Sequence, residues 1–121
     1  MRACGWMFTA LLLLNFDIPL AKACDPSFIL VNNTSWIISD VFTRETGDDG
    51  WSQEQLGEDT VLHPRHEIAL RFFDVSAEHF DVKLVLDNGK QVTWGNVDLC
   101  EINTMDVYYD AQAGDFKAKW E

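Results

Sequence analysis

Much of the chain alternates apolar and polar residues with a period of two, the pattern of a β-strand with one buried face. It is cleanest at residues 79–87 (HFDVKLVLD), where Phe80, Val82, Leu84 and Leu86 alternate with Asp81, Lys83, Val85 and Asp87. Residues 66–73 (HEIALRFF) repeat it, with His66, Ile68, Leu70 and Phe72 on one face. Asn88-Gly89 predicts a type I′ hairpin, a turn that needs positive φ at both central residues. The chain then returns along 90–95, with Val92 and Trp94 sharing a face. Residues 28–31 (FILV) and 36–43 (WIISDVFT) read as two strands around the turn cluster Asn32-Asn33-Thr34-Ser35. In the second, Trp36, Ile38 and Phe42 share a face on which Asp40 is the exception; buried there it needs partners, unless a bulge turns it outward.

Residues 97–102 carry Val97, Leu99 and Cys100 toward a strand at 105–110, and a turn at 113–115 leads into 116–120. There Phe116, Ala118 and Trp120 oppose Lys117 and Lys119, as on an edge strand protected by charge. The alternation places most of Trp36, Phe42, Phe72, Phe80, Trp94, Tyr109 and Trp120 in the core. Seven or eight short strands separated by turns predict an all-β domain, a single antiparallel β-sandwich, with a small barrel as the alternative.

Residues 1–23 break this pattern. Arg2, the apolar run 6–14 (WMFTALLLL) and Ala21-Lys22-Ala23 match the three parts of a secretory signal peptide. The run is well short of the ~20 residues that span a bilayer, and Asp17 and Pro19 follow it. A mature domain of residues 24–121, periplasmic or extracellular, is therefore expected. Cleavage leaves Cys24 and Cys100, and in an oxidising compartment an even pair is most simply a disulfide. Loop entropy gives such a bridge about 4 to 5 kcal/mol. In the other reading Cys24 carries a lipid and Cys100 is a small buried hydrophobe, although Ala21 and Lys22 are not the usual residues before a lipidated cysteine.

Charge narrows the partners. Removing two basic residues and one acidic residue with the signal takes the chain's 9 and 20 to 7 and 19, a formal charge of −12. Such a surface repels phosphate backbones and anionic lipid, so nucleic acid and membrane are disfavoured, the latter unless Cys24 is lipidated. Acidity also serves solubility alone.

Many of the acids fall in one long irregular stretch, residues 44–61 (RETGDDGWSQEQLGEDTV). Loops of this length inside a compact domain are uncommon and are often functional or disordered. Within it, Ser52 with Gln55 three places on suggests a single helical turn. Trp51 lies among acids with no periodic partner, which suits either an interface anchor or a plug folded back on the sandwich. Asp48, Asp49, Glu54, Glu58 and Asp59 supply hard oxygen ligands for calcium, but their order does not follow the EF-hand pattern. His63 and His66, with His79, raise a zinc site, yet Pro64 between the first two prevents the helical spacing that would converge their rings. The chain has neither a G-x-S-x-G elbow nor a glycine-rich phosphate loop, so hydrolytic chemistry has no constellation to rest on.

Val31-Asn32-Asn33-Thr34, Asp48-Asp49-Gly50-Trp51, Leu56-Gly57-Glu58-Asp59, Phe80-Asp81-Val82-Lys83-Leu84 and Asp98-Leu99-Cys100 together resemble a family of small exported bacterial β-proteins of poorly defined function. The resemblance implies the β fold and export. In similar sequences a cysteine just before the Phe80 position is placed to pair with the late D-L-C cysteine. Glu78 and His79 stand there instead, so the resemblance implies Cys24 as the partner if Cys100 is bridged. The expected function is a non-enzymatic binding module, of inhibitor or immunity type, that contacts a protein, a basic one on charge grounds, through Trp51, Asp48, Asp49, Glu58 and Asp59. A calcium-dependent module is the alternative and a small hydrolase the second. The sequence leaves the oligomeric state open.

Overall fold

The computed structural model describes residues 26–72 and 77–121. Seven strands form in chain order: β1 (Phe28–Asn33), β2 (Ile38–Glu45), β3 (Glu67–Leu70), β4 (His79–Leu86), β5 (Gln91–Asp98), β6 (Thr104–Asp110) and β7 (Asp115–Trp120). They make a four-stranded sheet in the order β3-β1-β6-β7 and a three-stranded sheet in the order β2-β4-β5. The inner faces enclose one core. Leu30, Met105 and Val107 come from the first sheet; Ile38, Val41, Val82 and Leu84 come from the second, and all are essentially without solvent contact.

The all-β sandwich stands, with one change of strand direction. β1 pairs antiparallel with β3 but parallel with β6, Ile29 to Asn33 beside Thr104 to Tyr108. Alternation says which face a residue takes and not which way its neighbour runs, so a parallel pair between strands distant in sequence leaves no mark on the local pattern.

Two irregularities reset the alternation. The β2–β4 register shifts between Ile38 and Asp40. Val41 and Thr43 therefore turn inward, while Asp40 and Phe42 leave the core face. On the other side of β4 the register shifts again, because two residues of β5, Gly95 and Asn96, oppose the single residue Asp81. Asn96 has φ 57°, the left-handed conformation typical of a bulge. The 86–91 hairpin forms as expected, but its turn differs. Gly89 has φ 89° while Asn88 keeps the ordinary negative φ. The Gly89 amide donates to the Leu86 carbonyl, and the Leu86 amide donates to the Lys90 carbonyl, giving a three-residue loop closed by a left-handed glycine. The Asn88 carboxamide oxygen accepts the Lys90 amide, which holds Asn88 out of the left-handed region.

The N-x-T strand end is a knot of polar contacts inside the core. Asn32 has 0% exposure, and its Nδ2 donates to the carbonyls of Trp36 and Leu62. Its Oδ1 accepts the Thr34 amide at 3.0 Å and the Thr34 hydroxyl at 2.7 Å. The side chain thereby joins β1, the turn after it and the strand-like residue Leu62. Of the two adjacent asparagines, only Asn33 is exposed.

The expected disulfide needs correction. No bridge closes between two described residues, because Cys24 lies outside them. Cys100 is nonetheless disulfide-bonded, which removes the reading of it as a free buried hydrophobe. It sits half-buried after β5, its amide donating to Asp98 Oδ1. The expected signal peptide, residues 1–23, also lies outside the described residues.

Candidate functional site

β2 is an edge strand of its sheet, and such an edge leaves a row of unpaired amides and carbonyls. The acidic stretch covers that row. The amides of Ser52 and Gln55 donate to the carbonyls of Thr43 and Val41 at 2.7 and 2.8 Å. In return the Thr43 amide donates to the Ser52 hydroxyl oxygen and the Val41 amide to Glu54 Oε2. Further along, Ile38 and Leu62 exchange both backbone bonds. The outward N–H and C=O groups of Ile38, Val41 and Thr43 are thus all satisfied by residues 52–62, through side-chain oxygens where no backbone oxygen is in place.

The helical turn expected at Ser52 is therefore absent. Ser52 Oγ accepts from the edge strand rather than from a helix amide, and the segment follows β2 through a series of bends. Glu54 is the hub of this cover. Besides the Val41 amide, its Oε2 accepts the Leu56 amide and its Oε1 the Gly57 amide. Leu56 is then driven into the core at 6% exposure, making it the plug of the loop. Replacing Glu54 by Ala removes the acceptor of three amides and is expected to cost about 2 kcal/mol. Urea melts measure the loss, and amide exchange at Val41 should accelerate; unchanged exchange there would show that Glu54 is not the cover's anchor.

Trp51 is half-buried on the outer face of the β2–β4 sheet. The Arg44 guanidinium carbon lies 4.2 Å from the ring centroid and Lys83 Nζ 4.8 Å, with Lys83 also 5.0 Å from the Phe42 ring. Phe42, turned out of the core by the β2 bulge, is what lets this cationic and aromatic layer form. Behind it stands Asp81 at 7% exposure. Its Oδ2 accepts Arg44 Nε at 2.8 Å, and its Oδ1 accepts the Thr46 hydroxyl and the Asn96 amide at 2.9 and 3.0 Å. Above all the Arg44 hydrogen bond, then the Asn96 amide, hold the Asp81 carboxyl below its ordinary pKa, against the opposing effect of burial. Asp81 occupies a polar position of the β4 alternation, so no local signal marks it as buried; only the β5 bulge closes over it.

The five residues expected to act together are divided. Trp51 and Asp48 border a shallow depression of about 250 Å³ with Phe72 and Phe80. Glu58 and Asp59 border a different one, about 440 Å³, with Asp40 and Glu54. Asp49 stands on the exposed tip, residues 46–50. The calcium alternative finds no gathered ligand set: among the described residues, no group of three or more His, Cys, Asp or Glu is placed to hold a metal ion. His63 and His66 meet edge to face with ring centroids 6.0 Å apart, while His79, at the start of β4, lies 3.8 Å from its cross-strand neighbour Asp98.

No helix among the described residues is long and apolar enough to cross a membrane. No protein-family model matches the chain, and no curated protein matches it. A solved structure does: the NMR structure of a protein from Eubacterium rectale is similar over 79% of this chain and 87% of its own, with TM-score 0.56 and 14% identity. At that identity the likeness is one of fold, a bacterial protein sharing this two-sheet architecture.

Proposed function

We propose that this protein is an exported, non-enzymatic binding module that presents the loop tip at residues 46–50 to the basic surface of a protein partner, in the manner of an inhibitor or immunity protein. One observation carries the reading: the tip is wholly exposed while both of its ends are pinned. On one side the Thr46 amide donates to the His79 carbonyl and its hydroxyl to Asp81. On the other, Ser52 is held to Thr43 through both its amide and its hydroxyl. Asp48 and Asp49 project from this fixed base and make no salt bridge among the described residues. A loop already held in one shape loses little conformational entropy on binding, so two unneutralised carboxylates are offered at low ordering cost. In this reading Trp51 supports the loop from beneath, and the contact belongs to the acids of the tip. Export rests on the signal-like residues 1–23.

The test is affinity capture from secreted and periplasmic fractions on immobilised wild-type protein and on the Asp48→Asn/Asp49→Asn double variant. Both substitutions lie on exposed turn positions, so the fold should survive. A partner retained by the wild type, lost by the variant and released by moderate salt is expected. Equal recovery on the two columns would remove the tip from the account.

A further inference from the structure

The two sheets leave a second aromatic feature that lies apart from the loop. β5 and β7 are free edges of different sheets, and across the gap between them Trp94 meets Trp120. The ring centroids are 6.4 Å apart and the planes stand at 86°. An open pocket of about 310 Å³ lies against this corner, lined also by Gly95, Asn96, Asp98 and Glu101. The lining contains two carboxylates and no Lys or Arg. On β7, Lys117 and Lys119 alternate with the Trp120 face; Lys119 Nζ is instead engaged over the Tyr108 ring. Glu101 makes no salt bridge among the described residues. Trp120 is 36% exposed, yet its position is set: the next residue, Glu121, exchanges both backbone bonds with Thr104. Gly95 lines the pocket beside Trp94, and a Cβ there would come within 3.4 Å of Asp81 Oδ1.

We infer that this corner binds a small quaternary ammonium compound. An indole attracts cations through the negative face of its π-system, and walls at right angles let one roughly spherical head group touch both rings at once. A flat sugar face stacks on a single ring and leaves the other idle. A planar guanidinium has the same limitation. Asp98 and Glu101 then supply the counter-charge at the open side, and the chain's formal charge of −11 favours approach of a cation. The pocket is assembled from the β5 bulge and the end of β7, so neither tryptophan gives it away alone. The assignment rests on residues distinct from the loop tip and stands or falls independently of it.

The probe is choline chloride, titrated against sodium chloride at matched ionic strength, with the indole Nε1–H signals of the four tryptophans of residues 24–121 followed by NMR. Saturable shifts at the Trp94 and Trp120 signals are expected, and they should weaken at least about tenfold in Trp120→Ala. Glu101→Gln, at an exposed position, should weaken binding about threefold while leaving the thermal melt unchanged. The uncharged isostere 3,3-dimethyl-1-butanol should bind at least about tenfold more weakly than choline. Equal binding of the two would show an apolar cleft and overturn the assignment. So would shifts that merely follow salt, or that persist in Trp120→Ala. Because Trp120 is partly exposed, that variant is expected to fold, and a Trp94→Phe variant that retains reduced binding would supply the same test with an aromatic wall kept.

Discussion

Replacing Asn32 with Ala should lower the melting temperature by about 15 °C, from a loss of about 3 kcal/mol in a domain of this size. Four hydrogen bonds disappear with the carboxamide, but their consequences differ. The Leu62 and Trp36 carbonyls keep other donors, the Ile38 amide and the Thr34 hydroxyl. The Thr34 amide has no such replacement in view, and Thr34 is buried at 2% exposure. An orphaned buried amide costs about 1 to 3 kcal/mol, and the space left in a fully buried site adds to it. Asn32→Asp should be at least as damaging, because a carboxylate oxygen would take the place of the NH₂ that faces two carbonyls. Asn33 is the natural control. It is exposed and makes one side-chain bond, to Asp106, so Asn33→Ala should change stability by less than about 0.5 kcal/mol. Thermal melts of the three variants decide the matter, and an Asn32→Ala protein that melts with Asn33→Ala would dispose of the knot.

That knot shows what a chain of this kind discloses before it is folded. Asn32-Asn33-Thr34 is legible as the end of a strand, because its turn chemistry is local. Its burial is not, since the carbonyls it serves include one thirty residues away, at Leu62. The same division runs through the fold. The core face of β4 follows from alternation alone, and Phe80, Val82, Leu84 and Leu86 are all buried as expected. β2 fails the same reading at Phe42, because its phase is reset by a bulge that depends on how it registers with β4. Trp94 and Trp120, placed inward by period, are half-buried or exposed because β5 and β7 are sheet edges, and edges are properties of strand order; Tyr109 is exposed near the end of the inner strand β6. The acidic stretch is the largest case. Its length and its Trp draw attention in the sequence, whereas its main contacts are made by Ser52, Glu54 and Leu56, whose purpose appears only once β2 is known to be an uncovered edge. Trp51 admits two readings in the sequence, anchor or plug; in the structure it lies half-buried beneath Arg44 and Lys83, and Leu56 is the residue that enters the core.

Asp81→Asn should be the next most damaging change, and its cost should depend on pH in a way that identifies the cause. At neutral pH the variant is expected to be about 2 to 3 kcal/mol less stable, the range for disrupting a charge-assisted bond at a buried site whose partner keeps some contact with water. Arg44 is that partner, its side chain 28% exposed. An asparagine oxygen can still accept from Thr46 or Asn96, but its NH₂ would confront Arg44 Nε, donor against donor. The sign of the pH effect follows from the lowered pKa of Asp81, caused first by the Arg44 hydrogen bond. A carboxyl whose pKa is lower in the folded than in the unfolded chain contributes stability that is present above its unfolded value, near 3.8, and is lost as pH falls through the folded value. Asparagine does not titrate, so the difference between wild type and variant should be constant from neutral pH down to the upper acid range and shrink below it. Urea melts of both proteins at matched pH isolate this one group from the other carboxylates, which titrate in both chains alike. A difference that stays level through the acid range would mean that the loss comes from packing and not from the carboxylate. The change should also reach the loop. Asp81 holds Thr46, where the tip begins, and orients the guanidinium that lies over Trp51, so Asp81→Asn should raise amide exchange across residues 46–50 even where the protein remains folded. One end of the tip is thus fixed in part by a carboxylate that belongs to the neighbouring strand and not to the loop itself.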